Sequence, residues 1–439
     1  MARIDYRVCN GGQLGGKLKL PGDKSISHRA VMLGALAEGE TEVSNFLDGE
    51  DCLATARAFE QMGPVIERRG TNLRIKGVGL HGLQAPRDTI DCGNSGTSMR
   101  LLSGILAAQG FDSSLTGDDS LRKRPMQRVM TPLAEMGARI ESLGGDSRAP
   151  LKIHGGRKLH GIRYPLPVAS AQVKSCLLLA GLYASGETEV IEAQRSRDHT
   201  ERMLAAFGYP VTVTGKSAAV RGGGQLQGTR LEVPSDISSA AFFLVGAAIV
   251  PGSELLLEDV GVNPTRAGVI EILRRMGADI EEGRQRQMGG EPVAHVQVRG
   301  RGLKGIYIPE GLVPSAIDEF PALFIAAACA EGETLLTGAA ELRVKESDRI
   351  QVMADGLARL GVTAQPTADG ISIRGFGAKG SFDGGSIDSH GDHRIAMSFS
   401  MAALRARAPI EILDCANVNT SFPGFADLAR SAGLDLNLA

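Results

Sequence analysis

The sequence contains six copies of one repeated pattern, and no other feature constrains its fold as strongly. The pattern consists of an apolar helix, a glycine beside a polar residue, a strand, a second helix ending in Met-Gly or Leu-Gly, and another strand. It recurs about every 66–80 residues. Clear copies of its glycine-strand part occur at residues 38–43, 185–190 and 331–336, and looser copies start at Gly110, Pro251 and Ala408. The sequence therefore predicts six α/β repeats, three in each half of the chain.

The first helix of each repeat has a polar first turn and an almost wholly apolar body, which is typical of a buried helix. The six helix starts are residues 24–29, 95–100, 170–175, 235–239, 317–319 and 391–394. A helix amino terminus carries roughly half a positive charge and unpaired N–H groups, so it favours anions. If the six starts converge, they form an anion site.

Glycine is unusually abundant, at 57 of 439 residues, about 13% against a typical ~7%. The glycines follow no Gly-X-Y period, which argues against collagen, and they lie within well-patterned sequence, which argues against low-complexity disorder. We interpret the glycine that follows each apolar helix as a helix C-cap and a turn into the next strand.

The length of 439 residues exceeds the roughly 250–300 that a single core usually reaches, which predicts two domains. Lys and Arg (48) nearly balance Asp and Glu (50), and Trp is absent, so a nucleic-acid partner is not expected. The longest apolar runs, 240–250 and 320–330, are shorter than the ~18–20 residues of a membrane span. Residues 1–13 resemble no targeting signal, and the six cysteines form no C-x-x-C pair, which favours reduced thiols and a cytoplasmic location.

Each charged motif has a plain structural explanation beside the functional one. Lys24-Ser25-Ile26-Ser27-His28-Arg29 suits a phosphate or carboxylate but lacks the P-loop pattern, and alone it is an ordinary basic helix start. Residues 94–100 alone are a simple N-cap, in which Gly96 allows close approach to the backbone. The cations of residues 121–128 are typical of a solvated loop, and residues 344–349 of an exposed charged helix face.

A metal site at residues 388–394 is the less favoured interpretation. His390 and His393 flank Asp392, but Arg394 would place a positive charge beside the ion. We therefore do not expect a metal ion there. Across the repeats, several cations occur with only Asp318 and Glu346 as expected inward carboxylates, which indicates acid–base chemistry on a multiply anionic substrate. A covalent hydrolase is disfavoured, because neither a Ser-His-Asp order nor an activated Cys is evident.

Five motifs together resemble the 3-phosphoshikimate 1-carboxyvinyltransferase (EPSP synthase) family of enolpyruvyl transferases, in order and over essentially the whole chain. The motifs are Pro21-Gly22-Asp23-Lys24-Ser25-Ile26-Ser27-His28-Arg29, Gly93-Asn94-Ser95-Gly96-Thr97-Ser98-Met99-Arg100, Lys123-Arg124-Pro125-Met126, Lys345-Glu346-Ser347-Asp348-Arg349 and Asp392-His393-Arg394. The resemblance implies a two-domain inside-out α/β barrel of six repeats with buried parallel helices. The implied domains are residues 21–234 and residues 1–20 plus 235–439, with the active site in the cleft between them.

The resemblance also implies the reaction: transfer of the enolpyruvyl group of phosphoenolpyruvate to the 5-hydroxyl of shikimate 3-phosphate, with release of phosphate. The resemblance implies no metal and no organic cofactor. Both substrates are small molecules, and we expect a monomer. The implied shikimate 3-phosphate site consists of Lys24, Ser25, Arg29, Ser170, Ala171, Gln172, Arg197, Asp318 and Lys345. The implied phosphoenolpyruvate site consists of Lys24, Asn94, Gly96, Arg124, Gln172, Arg349 and Arg394.

Three residues carry the implied chemistry. Asp318 is the implied base for the 5-hydroxyl, while Glu346, with Lys24, is implied to protonate the methylene carbon and later to remove a proton. A carboxyl that donates a proton near neutral pH needs a raised pKa, so Glu346 is expected to be shielded from water once the domains close.

Two positions depart from the family pattern: Leu101 stands where many members have Pro, and Thr420 where others have Lys. They leave the response to glyphosate open, although Gly96 is the form usually linked with sensitivity. The nearest rival is the UDP-N-acetylglucosamine enolpyruvyl transferase, whose reactive Cys has no counterpart in residues 117–124. A non-catalytic anion-binding repeat protein is the alternative outside the enzymes.

Overall fold

The computed structural model describes residues 4–439, which fold into two compact units. Unit 1 contains the chain up to Pro21, Pro234–Gln287 and Pro292–Ala439. Unit 2 contains Gly22–Val233 together with the short segment Met288–Glu291. The chain thus passes from one unit to the other after Pro21 and again after Val233. The sequence did not predict that Met288–Glu291 would be counted with unit 2.

Strands and helices alternate along the whole chain. The strands are β1 Tyr6–Val8, β2 Gly15–Lys19, β3 Glu40–Ser44, β4 Val65–Arg69, β5 Asn72–Lys76, β6 Ile90–Asp91, β7 Ser113–Thr116, β8 Arg139–Ser142, β9 Leu151–His154, β10 Arg163–Pro165, β11 Glu187–Ile191, β12 Thr212–Thr214, β13 Ser217–Arg221, β14 Arg230–Glu232, β15 Glu254–Gly261, β16 Asp279–Met288, β17 Glu291–Arg299, β18 Glu331–Leu336, β19 Thr363–Pro366, β20 Ile371–Phe376, β21 Gly385–Asp388, β22 Ile410–Leu413 and β23 Leu436–Leu438. The α-helices are α1 Lys24–Leu36, α2 Glu50–Glu60, α3 Gly96–Leu106, α4 Asp119–Arg122, α5 Gln127–Glu135, α6 Ala171–Gly181, α7 His199–Ala206, α8 Ile237–Ala248, α9 Gly268–Arg275, α10 Val313–Ala316, α11 Phe320–Cys329, α12 Arg349–Arg359, α13 His393–Ala402, α14 Val418–Ser421 and α15 Phe425–Ser431.

The strands form six small sheets, three in each unit, as six repeats predict. Unit 2 contains the sheets β14-β3-β5-β4, β6-β7-β9-β8 and β10-β11-β13-β12, and unit 1 the sheets β16-β17-β15-β2, β18-β20-β19 and β21-β22-β1-β23. In five of the six sheets the strand after the buried helix pairs antiparallel with the hairpin that follows the second helix. In the sixth, β22 pairs antiparallel with β1, from the start of the chain. The sheet β18-β20-β19 has only three strands among the described residues. Isolated parallel bridges at Lys304 and Tyr307 occupy the place of a fourth strand.

The first helix of each repeat is buried along nearly its whole length. These helices are α1, α3 and α6 in unit 2 and α8, α11 and α13 in unit 1. Their apolar side chains make up much of the two separate hydrophobic cores, one in each unit. Within residues 4–439, the structure contains no helix both long enough and apolar enough to cross a membrane.

The glycine that ends the second helix of each repeat caps that helix. Each of these glycines has a positive φ, the left-handed conformation that favours glycine at a helix end. They are Gly63, Gly137, Gly208, Gly277, Gly361 and Gly433. The interpretation of the glycines after the buried helices as C-caps is wrong. Helix α1, for example, ends at Leu36 with an extended Ala37, so Gly39, at φ 88°, shapes the turn into β3 rather than the helix end.

Candidate active site

The amino termini of the buried helices are capped by acceptor side chains in five of the six repeats. Asp23, Ser95 and Ser170 cap α1, α3 and α6 in unit 2. Asp236 and Asp392 cap α8 and α13 in unit 1. Each cap accepts a hydrogen bond from the first turn, which fixes where the helix starts and which side chains follow it.

The fifteen residues predicted for the site fall into two sets. Unit 2 holds Lys24, Ser25, Arg29, Asn94, Gly96, Arg124, Ser170, Ala171, Gln172 and Arg197, and unit 1 holds Asp318, Lys345, Glu346, Arg349 and Arg394. Within each unit, the structure brings these residues into short chains of contacts.

In unit 2, Lys24 and Arg29 both lie near the start of α1, and they contact different partners. The Lys24 ammonium pairs with the buried carboxylate of Asp51. The buried Arg29 donates from Nε to Thr200 Oγ1 at 2.7 Å and from its terminal nitrogens to Ser175 Oγ at 2.7 Å and the Ser25 carbonyl at 2.9 Å. No local sequence signal identified Asp51, Thr200 or Ser175, because each lies far from α1 in the chain.

Burial lowers the pKa of Arg29 to about 10, although Glu201 and Asp23 favour its charged form. The guanidinium still carries its proton at neutral pH. Arg29 is therefore a fixed cation, held by neutral hydroxyl and carbonyl acceptors. Such a cation is suited to binding an anion, because it need not first leave a carboxylate.

Asn94 and Arg124 form a second group at the start of α3. Arg124 donates to Asn94 Oδ1 at 2.8 Å, and Asn94 Nδ2 donates to Asp118 Oδ2 at 2.7 Å. Gly96 is the first residue of α3, and a Cβ there would lie 3.3 Å from the guanidinium of Arg124. Arg124 is buried, so the solvated-loop interpretation fails for it, whereas Lys123 is exposed as that interpretation expects.

Ser170, Ala171 and Gln172 begin α6. Ser170 accepts from the backbone of Val173 at 3.4 Å, and Gln172 bridges to α3, accepting from Arg100 and donating to Thr97 Oγ1 at 3.0 Å. Ala171 lies between them as the first helical residue. Gln172 thus links the starts of α3 and α6, as expected if the starts of the buried helices converge. Arg197 is half-buried, and its charge acts on Arg29.

In unit 1, the fully buried Arg349 is the centre of the contacts. Its Nε donates to Asp392 at 2.8 Å, one terminal nitrogen donates to Glu346 at 2.7 Å, and the other lies 3.5 Å from Asp318. Lys345 Nζ lies 3.4 Å from the same Asp318 oxygen. The alternative interpretation of residues 344–349 as an exposed charged helix face fails, because α12 starts only at Arg349 and that side chain is 1% exposed.

The electrostatics of this group favour ionised side chains. Burial alone would lower the pKa of Arg349, but Asp392, Glu346 and Asp318 outweigh it, so the net shift is upwards. Burial alone would raise the pKa of Asp392, but Arg349 outweighs it and holds the pKa below the ordinary 3.8. Arg349 and Asp392 thus form a buried ion pair that stays charged at neutral pH.

Arg394 follows the cap of α13 and reaches α11. It donates to the backbone carbonyl of Asp318 at 3.0 Å and lies 3.8 Å from the buried carboxylate of Glu319. Glu319 in turn accepts from Ser238, which also accepts from Arg266 at 2.7 Å. These contacts join the starts of α8, α11 and α13.

The expectation that only Asp318 and Glu346 would be inward carboxylates is wrong. Asp51, Asp392 and Glu319 are also buried beside predicted binding cations. A cation in a low-dielectric interior needs a nearby opposite charge, and that partner can come from any part of the chain. The cations are therefore mostly paired before any substrate arrives.

Within residues 4–439, no group of three or more His, Cys, Asp or Glu side chains is arranged to hold a metal ion. The two departures from the family pattern are both buried: Leu101 lies within α3, and Thr420, in α14, donates to the Asn417 carbonyl at 2.7 Å. Burial raises the pKa of the Cys176 and Cys329 thiols to about 12, which keeps them protonated and unreactive.

Comparisons with known proteins agree over nearly the whole chain. The family described as EPSP synthase (3-phosphoshikimate 1-carboxyvinyltransferase) matches residues 8–428. A 3-phosphoshikimate 1-carboxyvinyltransferase of Methylococcus capsulatus is 65% identical over 437 residues, covering 99% of each chain. The enzyme of that name from Alkalilimnicola ehrlichii is 64% identical over 435 residues, covering 99% of this chain and 96% of the relative.

A solved structure is similar in both sequence and fold. The EPSP synthase of Acinetobacter baumannii is 58% identical and superimposes with a TM-score of 0.89, covering 99% of this chain and all of that one.

Proposed function

The chain belongs to the EPSP synthase (3-phosphoshikimate 1-carboxyvinyltransferase) family, and on that premise we propose that it transfers the enolpyruvyl group of phosphoenolpyruvate to the 5-hydroxyl of shikimate 3-phosphate. The products are 5-enolpyruvylshikimate 3-phosphate and phosphate. One observation carries the proposal beyond family membership: in unit 1, the cations of Lys345 and Arg349 lie beside the carboxylates of Asp318 and Glu346. Binding groups and acid–base groups are thus both present.

Each unit is proposed to be an inside-out α/β barrel, with three sheets outside and three buried helices inside. The three sheets per unit and the near-complete burial of α1, α3, α6, α8, α11 and α13 support this arrangement. The proposed domains are those expected from the sequence, residues 21–234 and residues 1–20 with 235–439.

Shikimate 3-phosphate carries a phosphate and a carboxylate, so its site needs fixed cations and donors. We assign the site to Lys24, Ser25, Arg29, Ser170, Ala171, Gln172, Arg197, Asp318 and Lys345. Arg29 supports this assignment best, because its guanidinium is held by hydroxyls rather than by a carboxylate. Each charge-assisted hydrogen bond to the substrate contributes about 1.5–3 kcal/mol.

Phosphoenolpyruvate carries the same two kinds of anionic group. We assign it to Lys24, Asn94, Gly96, Arg124, Gln172, Arg349 and Arg394. The close approach of Gly96 to the Arg124 guanidinium supports this assignment, since a glycine leaves room for a ligand beside the cation. Lys24, Arg349 and Arg394 each face a carboxylate in the structure, so an arriving anion competes with Asp51, Asp392 or Glu319 for them.

Asp318 is the proposed base. Lys345 and Arg349 lie 3.4 and 3.5 Å from one oxygen of its carboxylate, so the proposed acceptor for the proton of the 5-hydroxyl stands beside two cations. As the O–H bond breaks, the oxygen attacks C2 of phosphoenolpyruvate. The proton passes to Asp318, and a new C–O bond forms.

Glu346, with Lys24, is the proposed acid for the methylene carbon. Attack at C2 leaves an electron pair on C3, and a proton delivered there gives a tetrahedral intermediate with a methyl group. Removal of a methyl proton then restores the double bond and expels phosphate. Glu346 accepts a hydrogen bond from Arg349 at 2.7 Å, so a substrate anion that engages Arg349 competes with Glu346 for it.

The related UDP-N-acetylglucosamine enolpyruvyl transferase is not favoured. The family match and the relatives all carry the 3-phosphoshikimate name, and residues 117–124 contain no Cys.

The proposed function is tested by measuring phosphate release from phosphoenolpyruvate with each candidate acceptor. We expect release with shikimate 3-phosphate, together with a product heavier than that acceptor by one enolpyruvyl group in mass spectrometry. UDP-N-acetylglucosamine should give neither. Release supported by UDP-N-acetylglucosamine would overturn the assignment of acceptor, and release with no acceptor would show a phosphatase instead.

A further inference from the structure

The turn between β16 and β17 is an unusual part of unit 2. Its residues Met288–Glu291 are counted with unit 2, although the strands on either side belong to unit 1. Gly289 and Gly290 have φ of 57° and 84°, as in the tight two-residue turns of β-hairpins. A Cβ at Gly289 would lie 2.8 Å from the Glu232 carbonyl oxygen, so the turn lies directly against β14. Its position is thus fixed by the unit 2 backbone.

The turn between β16 and β17 contacts the amino-terminal residues of α7. Glu291, 1% exposed, lies 2.7 Å from Nδ1 of the buried His199, the first residue of α7. The second carboxylate oxygen of Glu291 is 3.8 Å from Arg202 Nε, and Arg202 donates to the Gly290 carbonyl at 3.2 Å. No step of the proposed reaction uses Glu291 or His199.

Three consecutive residues of α7 have three separate partners. His199 contacts Glu291, Thr200 accepts from Arg29 at 2.7 Å, and Glu201 pairs with the buried Lys174 at 2.8 Å. Successive helical residues point about 100° apart, so the three contacts fix both the rotation and the position of the helix. With eight residues, α7 is too short to hold its place through helix propensity alone.

We propose that Glu291 is a positioning residue for shikimate 3-phosphate: through His199 it sets the first turn of α7, which in turn sets Arg29, held by Thr200, and the neighbouring Arg197. This inference rests on the proposed function, which assigns both arginines to that substrate. Glu291 acts through other residues and does not itself touch the substrate.

The negative charge of Glu291 and its contact with His199 are expected to have opposite effects on the binding of shikimate 3-phosphate, which makes the inference testable. The negative charge of Glu291 acts on Arg29 and opposes an incoming anion, so removal of the charge alone should tighten binding. Loss of the contact to His199 should weaken binding, because Arg29 and Arg197 lose their alignment. Glu291→Gln removes the charge but keeps an acceptor for His199, whereas Glu291→Ala removes both.

The test is calorimetric titration of the full chain with shikimate 3-phosphate. We expect Glu291→Ala to raise Kd about tenfold, and Glu291→Gln to stay within about threefold of the parent. His199→Ala should resemble Glu291→Ala, and the double variant should be no weaker than either single one, because both remove the same contact. Glu281→Ala, on the same hairpin and 64% exposed, is the matched control and should change nothing.

A second readout separates positioning from general loss of structure. At saturating shikimate 3-phosphate, KM for phosphoenolpyruvate should be unchanged in Glu291→Ala, whereas a poorly folded variant would lose turnover at every substrate concentration. Equal Kd values for Glu291→Ala and the parent would overturn the inference, as would equal weakening by Ala and Gln. If the parent itself fails to bind shikimate 3-phosphate, the proposed function is wrong.

Discussion

Arg349 illustrates at the scale of single residues why the site is richer in acids than its motif suggests. The motif at residues 345–349 shows Lys345, Glu346 and Arg349, but the contact that keeps Arg349 charged while buried comes from Asp392, 43 residues further along the chain. Leaving a buried cation without a partner costs several kcal/mol. A local motif can therefore identify the cation but not its partner.

The charge of Asp392 should make stability depend on acid pH. Its folded-state pKa lies below the ordinary 3.8, so the group stabilises the fold fully above its unfolded-state value. That stabilisation is lost as the pH falls through the folded-state pKa, and Asp392→Asn should therefore flatten the loss of stability below about pH 4.

The same variant should be less stable at neutral pH. Asn keeps the cap of α13 but leaves Arg349 without the fully buried carboxylate charge that contacts it at 2.8 Å, which should lower the free energy of unfolding by about 3–5 kcal/mol at pH 7. Urea unfolding at pH 7 and at pH 3 measures both effects, with the exposed Asp355→Asn on α12 as control. Equal pH dependence in the parent and Asp392→Asn would contradict this account.

At the scale of elements, the order of helices and strands was predictable because each repeat contains glycines that mark where a helix ends and a strand follows. The Met-Gly and Leu-Gly endings predict second helices that stop at glycine, and Gly63, Gly277 and Gly361 have the expected positive φ. Gly104, inside the buried helix α3, carries no such signal, because the backbone it packs against belongs to another helix. A Cβ at Gly104 would lie 2.3 Å from the Cys176 carbonyl of α6.

Gly104→Ala should force α3 and α6 apart. Neither atom in the clash is the end of a flexible side chain, so relief requires movement of backbone, and we expect a loss of about 1–3 kcal/mol in the free energy of unfolding. Gly110→Ala is the control, since its Cβ would have nothing within 4 Å and its φ is not positive. If chemical denaturation finds the two variants equally stable, the close packing of α3 on α6 is not needed.

At the scale of the whole molecule, six repeats and two units were predictable from the sequence, whereas the proposed site residues come from resemblance to the family and stay a prediction. The segment Met288–Glu291 did not, because its place in unit 2 depends on contacts with β14 and α7 that no local pattern encodes. The proposed roles also divide between the units. The acid–base pair Asp318 and Glu346 belongs to unit 1, while most of the proposed substrate donors belong to unit 2.

The central claim is that the reaction proceeds by addition and elimination, with Glu346 exchanging a proton with the methylene carbon of phosphoenolpyruvate. Turnover in deuterated water with shikimate 3-phosphate tests it most directly, with the vinyl methylene of the product measured by mass spectrometry and NMR. The account predicts deuterium in that methylene for the parent, and about 10²–10⁴-fold slower incorporation for Glu346→Gln, which should still bind shikimate 3-phosphate. Product formed at the normal rate with no deuterium in the methylene would contradict it.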